Sequence, residues 1–214
     1  MTSSILAIDV LLEPDERMLE QAGRSNERLR KVFPDGFALD EEHRPHITLL
    51  QCFVAEKNLG EFSEAMGAVI RRAGLADLRL TANRFYYTPG SGAGVAGICS
   101  PLTSGLEALQ SAVIDAAKPF MIPSATIDAF TSDHGNPAYD AALINYVSTF
   151  IDQQAGAQFN PHVSTGIAPT SYLDQMVAEP FETFEYGLAS AAIYQLGPFG
   201  TAARLIERFD LTPR

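Results

Sequence analysis

Pro45-His46-Ile47-Thr48 returns 116 positions later as Pro161-His162-Val163-Ser164. Each copy is a proline, a histidine, a β-branched aliphatic and a hydroxyl residue. Each opens an apolar run of strand character, Ile47 to Val54 in the first and Val163 to Ala168 in the second. Side chains alternate between the faces of a strand, so residues two apart share a face at roughly 6.5–7 Å. His46 and Thr48 therefore point one way, as do His162 and Ser164. With the two strands side by side, two imidazoles and two hydroxyls converge. That set comprises a general acid, a general base and two oxyanion donors, and it requires no metal. The chain has only four histidines, and two of them fall in this pattern.

The paired motifs resemble those of the two-histidine (2H) phosphoesterase superfamily, in its 2'-5' RNA ligase-like and cyclic phosphodiesterase branch. The likeness runs over most of the chain, from the Ile5 strand to the terminal hairpin. The family pattern is His-h-Thr/Ser-h, where h is hydrophobic. His46-Ile47-Thr48-Leu49 fits it throughout, whereas His162-Val163-Ser164-Thr165 ends on Thr165 in place of an aliphatic residue. The stretch between the motifs is also longer than in the smallest members. The resemblance implies two pseudo-symmetric α+β lobes across a central cleft, and hydrolysis of 2',3'-cyclic or related phosphates or cleavage and re-formation of 2'-5' linkages.

Working outward, 214 residues suffice to bury a core as one domain, 1–214, of two intimately packed lobes with approximate halves 1–100 and 101–214. A 46% hydrophobic content and a mean hydropathy near zero describe an ordinary globular chain. With no basic stretch, apolar run and cleavage site at its start, no signal peptide is expected, and Ile5–Leu12 is too short to cross a bilayer. Cys52 and Cys99 lie in apolar runs and read as reduced core thiols of a cytoplasmic protein. The net charge of −11 argues against long nucleic acids, which are held through many Lys and Arg contacts to phosphate. A small phosphodiester, a nucleotide or a short RNA end fits better, on a monomer with no membrane association.

In chain order, Ile5–Leu12 is an apolar run broken only by Asp9 and reads as a central strand. Asp15–Phe33 is predicted helical, with Leu19, Ala22, Leu29 and Phe33 inward. The acidic loop Asp40-Glu41-Glu42-His43-Arg44 then delivers the first motif. Leu59–Ala73 is a helix with the stripe Phe62, Met66, Val69 and Ile70. Leu78–Tyr87 and Gly94–Cys99 form a hairpin across the glycine-rich 89–94 turn. Leu102–Ala117 is a helix burying Leu106, Leu109 and Val113, and residues 118–136 are a linker. Pro137 suits the first turn of a helix reaching about Gln154, burying Ala142, Leu143, Tyr146, Val147 and Phe150. After the second motif strand, Ser171-Tyr172-Leu173-Asp174 reads as a capping box. Leu188–Leu196 and Ala202–Phe209 close the chain as a hairpin across Gly197-Pro198-Phe199-Gly200. Each motif strand is thus followed by a helix and a hairpin.

The expected chemistry is metal-independent phosphodiester cleavage with no cofactor. His46 and His162 act as acid and base in an order the sequence leaves open, and Thr48 and Ser164 hold the phosphate. An unperturbed pKa near 6.5 lets histidine serve either role. Two other readings compete: a non-catalytic nucleotide or RNA-end binding module of the same fold, and a metal-dependent hydrolase built on His43, His46 and the acidic loop. His134 reads as an exposed loop residue. The 89–94 turn lacks the ending of a phosphate loop. Cys52 is a buried thiol rather than a nucleophile. Arg44, Arg84, Tyr86 and Tyr87 either line a pocket for base or phosphate or serve as ordinary strand-face residues.

Overall fold

A computed structural model of the protein describes residues 4–41, 43–131, 137–197 and 200–211, with only the backbone for 137–139. His134, Glu42, and Pro198 and Phe199 of the last turn lie outside the described residues. The fold is α+β, with antiparallel sheets and helices packed outside them. In order, the elements are β1 (Ile5–Pro14), α1 (Glu16–Val32), β2 (Ile47–Ala55), α2 (Leu59–Ala73), β3 (Leu80–Ala82), β4 (Arg84–Pro89), β5 (Ala93–Cys99), α3 (Ser104–Ala117) and β6 (Met121–Ile122). There follow α4 (Pro137–Ser148), α5 (Phe150–Gln154), β7 (His162–Pro169), α6 (Thr170–Val177), β8 (Phe184–Tyr186), β9 (Leu188–Leu196) and β10 (Ala202–Asp210).

Strand β1 lies at the centre of a five-stranded sheet of order β10-β9-β1-β2-β6, and so is buried along nearly its whole length. A second sheet has the order β4-β5-β7, and β3 pairs with β8. The halves 1–100 and 101–214 therefore do not coincide with the sheets. The hairpin that follows the first motif, β4–β5, pairs with the second motif strand, β7. The hairpin that follows the second motif, β9–β10, joins the first motif's sheet. Sequence order suggests self-contained lobes, but β1 exposes a free edge that β9 covers, and an unpaired central edge is costly. The motif strands β2 and β7 are consequently not ladder neighbours, as a side-by-side arrangement would require; they sit in separate sheets.

Both motif strands carry a β-bulge at the same motif position. Thr48 pairs with Leu11 and Leu50 with Val10, so Leu49 is the extra residue. Ser164 pairs with Gly97 and Gly166 with Ala96, so Thr165 is the extra residue. Leu49 and Thr165 are each fully buried. A bulge resets strand alternation, and in β2 it brings Thr48 and Gln51, three apart, onto the side of Asp9. A buried amide from a helix captures each bulge carbonyl. Gln110 Nε2 of α3 donates to the Leu49 carbonyl at 3.2 Å, and Asn26 Nδ2 of α1 to the Thr165 carbonyl at 2.9 Å. Asn26 Nδ2 also donates to the Phe37 carbonyl at 3.0 Å, and its Oδ1 accepts from Leu39 N at 3.3 Å, tying down the loop that leads to His46.

Thr165 is accommodated in the same way, since its hydroxyl accepts a 3.0 Å bond from Ser25 Oγ. The inward face of α1 is accordingly Met18, Ala22, Ser25, Asn26 and Leu29, while Leu19 is 39% exposed. Two buried polar residues that serve β7 rotate the helix away from the stripe read by hydrophobicity. The stripes of α2 and α3 are as expected. The helix expected over 137–154 breaks at Thr149 into α4 and α5, and Ala142 and Tyr146 are exposed. No side-chain cap opens α6, so the capping box does not form. Among the described residues no helix is long and apolar enough to cross a membrane.

The amide clamps should be visible in stability. Asn26→Ala and Gln110→Ala should each lower the urea-unfolding free energy by about 1–3 kcal/mol, the cost of leaving buried carbonyls unpaired. Ser25→Ala should cost a similar amount and Thr165→Val alone somewhat less. The double variant should recover part of the sum, because both hydroxyls leave together. Additive losses would show that Ser25 and Thr165 do not depend on one another.

Candidate active site

A cavity of about 460 Å3 opens between the motif strands, and His46, Thr48, His162 and Ser164 all line it. The two histidines are fixed in the same manner. His46 Nδ1 lies 2.6 Å from the Arg44 carbonyl and His162 Nδ1 2.7 Å from the Asn160 carbonyl, in each case two residues back along the chain. A carbonyl only accepts, so each Nδ1 carries a proton. Nε2 is left as the nitrogen at which protons exchange.

Their surroundings differ. Behind His46 lies Asp9, fully buried, with Oδ2 3.5 Å from His46 Nε2. Thr48 Oγ1 and Gln51 Nε2 both donate to that same Oδ2 at 3.0 Å. Burial alone would lower the His46 pKa, but the contact and charge of Asp9, the Arg44 carbonyl and the charge of Glu13 outweigh it and raise the pKa above its ordinary value. For His162, burial dominates. The Asn160 carbonyl opposes it, the charges of His46 and Arg84 reinforce it, and the pKa is lowered. The Tyr86 ring lies against His162 with centroids 5.2 Å apart, and Arg84 Nη2 donates to Asn160 Oδ1 at 2.8 Å.

Of the secondary candidates, Arg44 lines the cavity and approaches Glu13 at 3.5 Å. Glu13 itself is held below the usual carboxylate range: burial pushes it up, but Ser190, Tyr194 and Arg208 more than compensate. Tyr87 turns away to donate to Asp174. His43 stacks on Phe37 and its Nδ1 meets Asp40 at 2.8 Å. Among the described residues no group of three His, Cys, Asp or Glu side chains is gathered as a metal site. Gly92, at φ 81°, makes the tight turn of the β4–β5 hairpin, consistent with a turn rather than a phosphate cradle.

Sequence reasoning missed the apolar wall formed by Phe37, Tyr146, Phe150 and Phe159, which come from three separate segments. It also missed the role of Asp9, although a lone charge inside an apolar strand was a usable signal.

No protein-family model matches the chain, and no curated protein matches it. Among solved structures, TT0787 of Thermus thermophilus has the same fold. Its TM-score is 0.57 at 18% identity, over 96% of this chain and 98% of that one. Usb1 of Kluyveromyces marxianus aligns with a TM-score of 0.46 at 12% identity, over 98% of this chain and 99% of its own. The same protein with uridine monophosphate aligns at 0.48 and 12%, over 95% and 98%.

Burial pushes the Cys52 and Cys99 thiols up, and both are fully enclosed. Iodoacetamide should therefore leave both unmodified in the native protein near pH 8 and alkylate both in denaturant, as read by mass spectrometry. Rapid native labelling of Cys52 would reopen a nucleophilic role for it.

Proposed function

We propose that the protein is a metal-independent phosphodiesterase of the two-histidine type, acting on a small 2',3'-cyclic phosphate or a 2'-5'-linked RNA end. The observation that carries this reading is the pair of imidazoles clamped alike through Nδ1 at one cavity with Thr48 and Ser164. The cavity lining supports it further. On a chain of net charge −11, none of the described lining residues is Asp or Glu, whereas His43, Arg44, His46 and His162 all contribute. A small anion is favoured in such a site.

The opposite shifts of the two histidines give them separate roles. His162, kept neutral, takes a proton from the attacking water as its oxygen bonds to phosphorus. His46, kept protonated, gives its proton to the ester oxygen as the phosphorus–oxygen bond breaks. Proton exchange with solvent then restores both. Ser164 donates to a non-bridging oxygen, where charge accumulates. Thr48 does the same once its hydroxyl swings from Asp9 to the phosphate.

Nucleoside 2',3'-cyclic phosphates, assayed in EDTA, test this reading. Turnover should survive chelation and fall by roughly 10²–10⁴-fold in both H46A and H162A. The pH profile of kcat/KM should be bell-shaped. Its acid limb, from His162, should lie below about 6.5 and its alkaline limb, from His46, above it. Activity indifferent to both substitutions would sink the reading. Saturable binding without turnover would favour a binding module instead.

A further inference from the structure

Asp9 is the one charged side chain in the apolar run of β1, and none of it is exposed. Its environment is incomplete. Oδ2 accepts from Thr48 and Gln51, but Oδ1 has no hydrogen-bond partner among the described residues. A buried carboxylate with one oxygen unsatisfied is costly unless a cation stands beside it. The nearby arginines are engaged elsewhere: Arg208 Nε meets Glu13 at 2.9 Å, and Arg44 Nε meets the same carboxylate at 3.5 Å. Among the described residues the ion-pair partner of Asp9 is His46.

We propose that Asp9 is a positioning residue: its buried carboxylate holds the His46 imidazole in its charged form, and so makes the first motif the acid half of the pair. The proposal rests on the phosphodiesterase reading for its catalytic meaning, but the charge state itself does not depend on any substrate. At 3.5 Å the Nε2 contact is an ion pair rather than a hydrogen bond. Asp9 therefore stabilises the positive charge without capturing the proton that must be given away. Among the described residues the second motif has no counterpart to it. The groups around His162 are Asn160, Tyr86, Arg84 and His46 itself, none of them acidic. The two motifs are alike in sequence, and the carboxylate from β1 sets the first apart from the second, whose histidine is lowered mainly by burial.

The groups bearing on His46 come from several elements. Asp9 and Glu13 lie on β1, His43 and Arg44 on the preceding loop, His162 on β7, and Tyr146 of α4 shares the cavity. Of these, the two acids favour the cation, and Glu13 is already paired with Arg208 and Arg44. Asp9→Asn keeps the shape and the acceptor for Thr48 and removes the charge.

The test is an NMR titration of the His46 and His162 ring protons in wild type and Asp9→Asn, with the kcat/KM profile beside it. In wild type, His46 should titrate above about 6.5 and His162 below it. In Asp9→Asn, His46 should fall by on the order of one to three pH units, and His162 should rise slightly as its cationic neighbour is lost. The alkaline limb of the rate profile should move to lower pH, with kcat reduced more than KM is changed. A merely structural role for Asp9 would lower stability without drawing the two titrations together. A wild-type His46 at or below 6.5, which is readable even if the variant does not fold, overturns the proposal, as does a variant in which His46 titrates unchanged. Elevated, Asp9-dependent titration of His46 in a protein that turns over no phosphodiester would uphold the ion pair and sink the proposed function.

Discussion

Two buried side-chain amides hold the architecture of the site. Asn26 and Gln110 each reach from a helix to the carbonyl of a bulged residue immediately after a motif, at Thr165 and Leu49. A bulge breaks the hydrogen-bond ladder and bends its strand, and a carbonyl freed in this way inside a core must find another donor. The amides supply it, and they fix where α1 and α3 sit against the sheets. Asn26 does more, because the loop that carries the first histidine hangs on the same side chain that braces the second motif strand. The two motifs are thus coupled through one buried residue as well as through the cavity.

That rigidity matters because the imidazoles are held by backbone. Each Nδ1 is tied to a carbonyl two residues earlier, so the direction of Nε2 follows the path of the chain leading into the strand. Proton transfer depends on heavy-atom geometry before it depends on pKa. A chain path set by proline and anchored by a bulge is a firmer support than a flexible loop.

Much of this was legible in the sequence, because the signals were local. Two-residue alternation placed each histidine and hydroxyl on one face, and apolar spacing found α2 and α3 with their inward sides. What escaped depends on partners distant in sequence. The exchange of hairpins between sheets is decided by which edges need cover, and no local pattern carries that information. The phase of α1 was misjudged because Ser25 and Asn26 look like surface residues until β7 is known to need their hydrogen bonds. Thr165 looked like a flaw in the second motif for the same reason. The helix after residue 137 reads as continuous by periodicity, yet it breaks at Thr149, where Phe150 is buried and Tyr146 exposed although both line the cavity.

Pseudo-symmetry makes two similar half-sites, but acid–base chemistry needs two dissimilar ones. Identical histidines in identical surroundings would titrate together, and a molecule holding one proton would carry it on either histidine equally, so neither would be fixed as acid or base. The asymmetry has to come from outside the repeated motif. Here it comes from β1, whose Asp9 faces the first histidine and, among the described residues, has no equivalent facing the second. Because β1 is central in its sheet, that carboxylate is shielded from water, and its field acts at low dielectric over a short distance. A surface acid at the same separation would be screened and would favour the His46 cation far less. On the proposed reading, the position of Asp9 inside a buried central strand is what allows a duplicated motif to divide its labour.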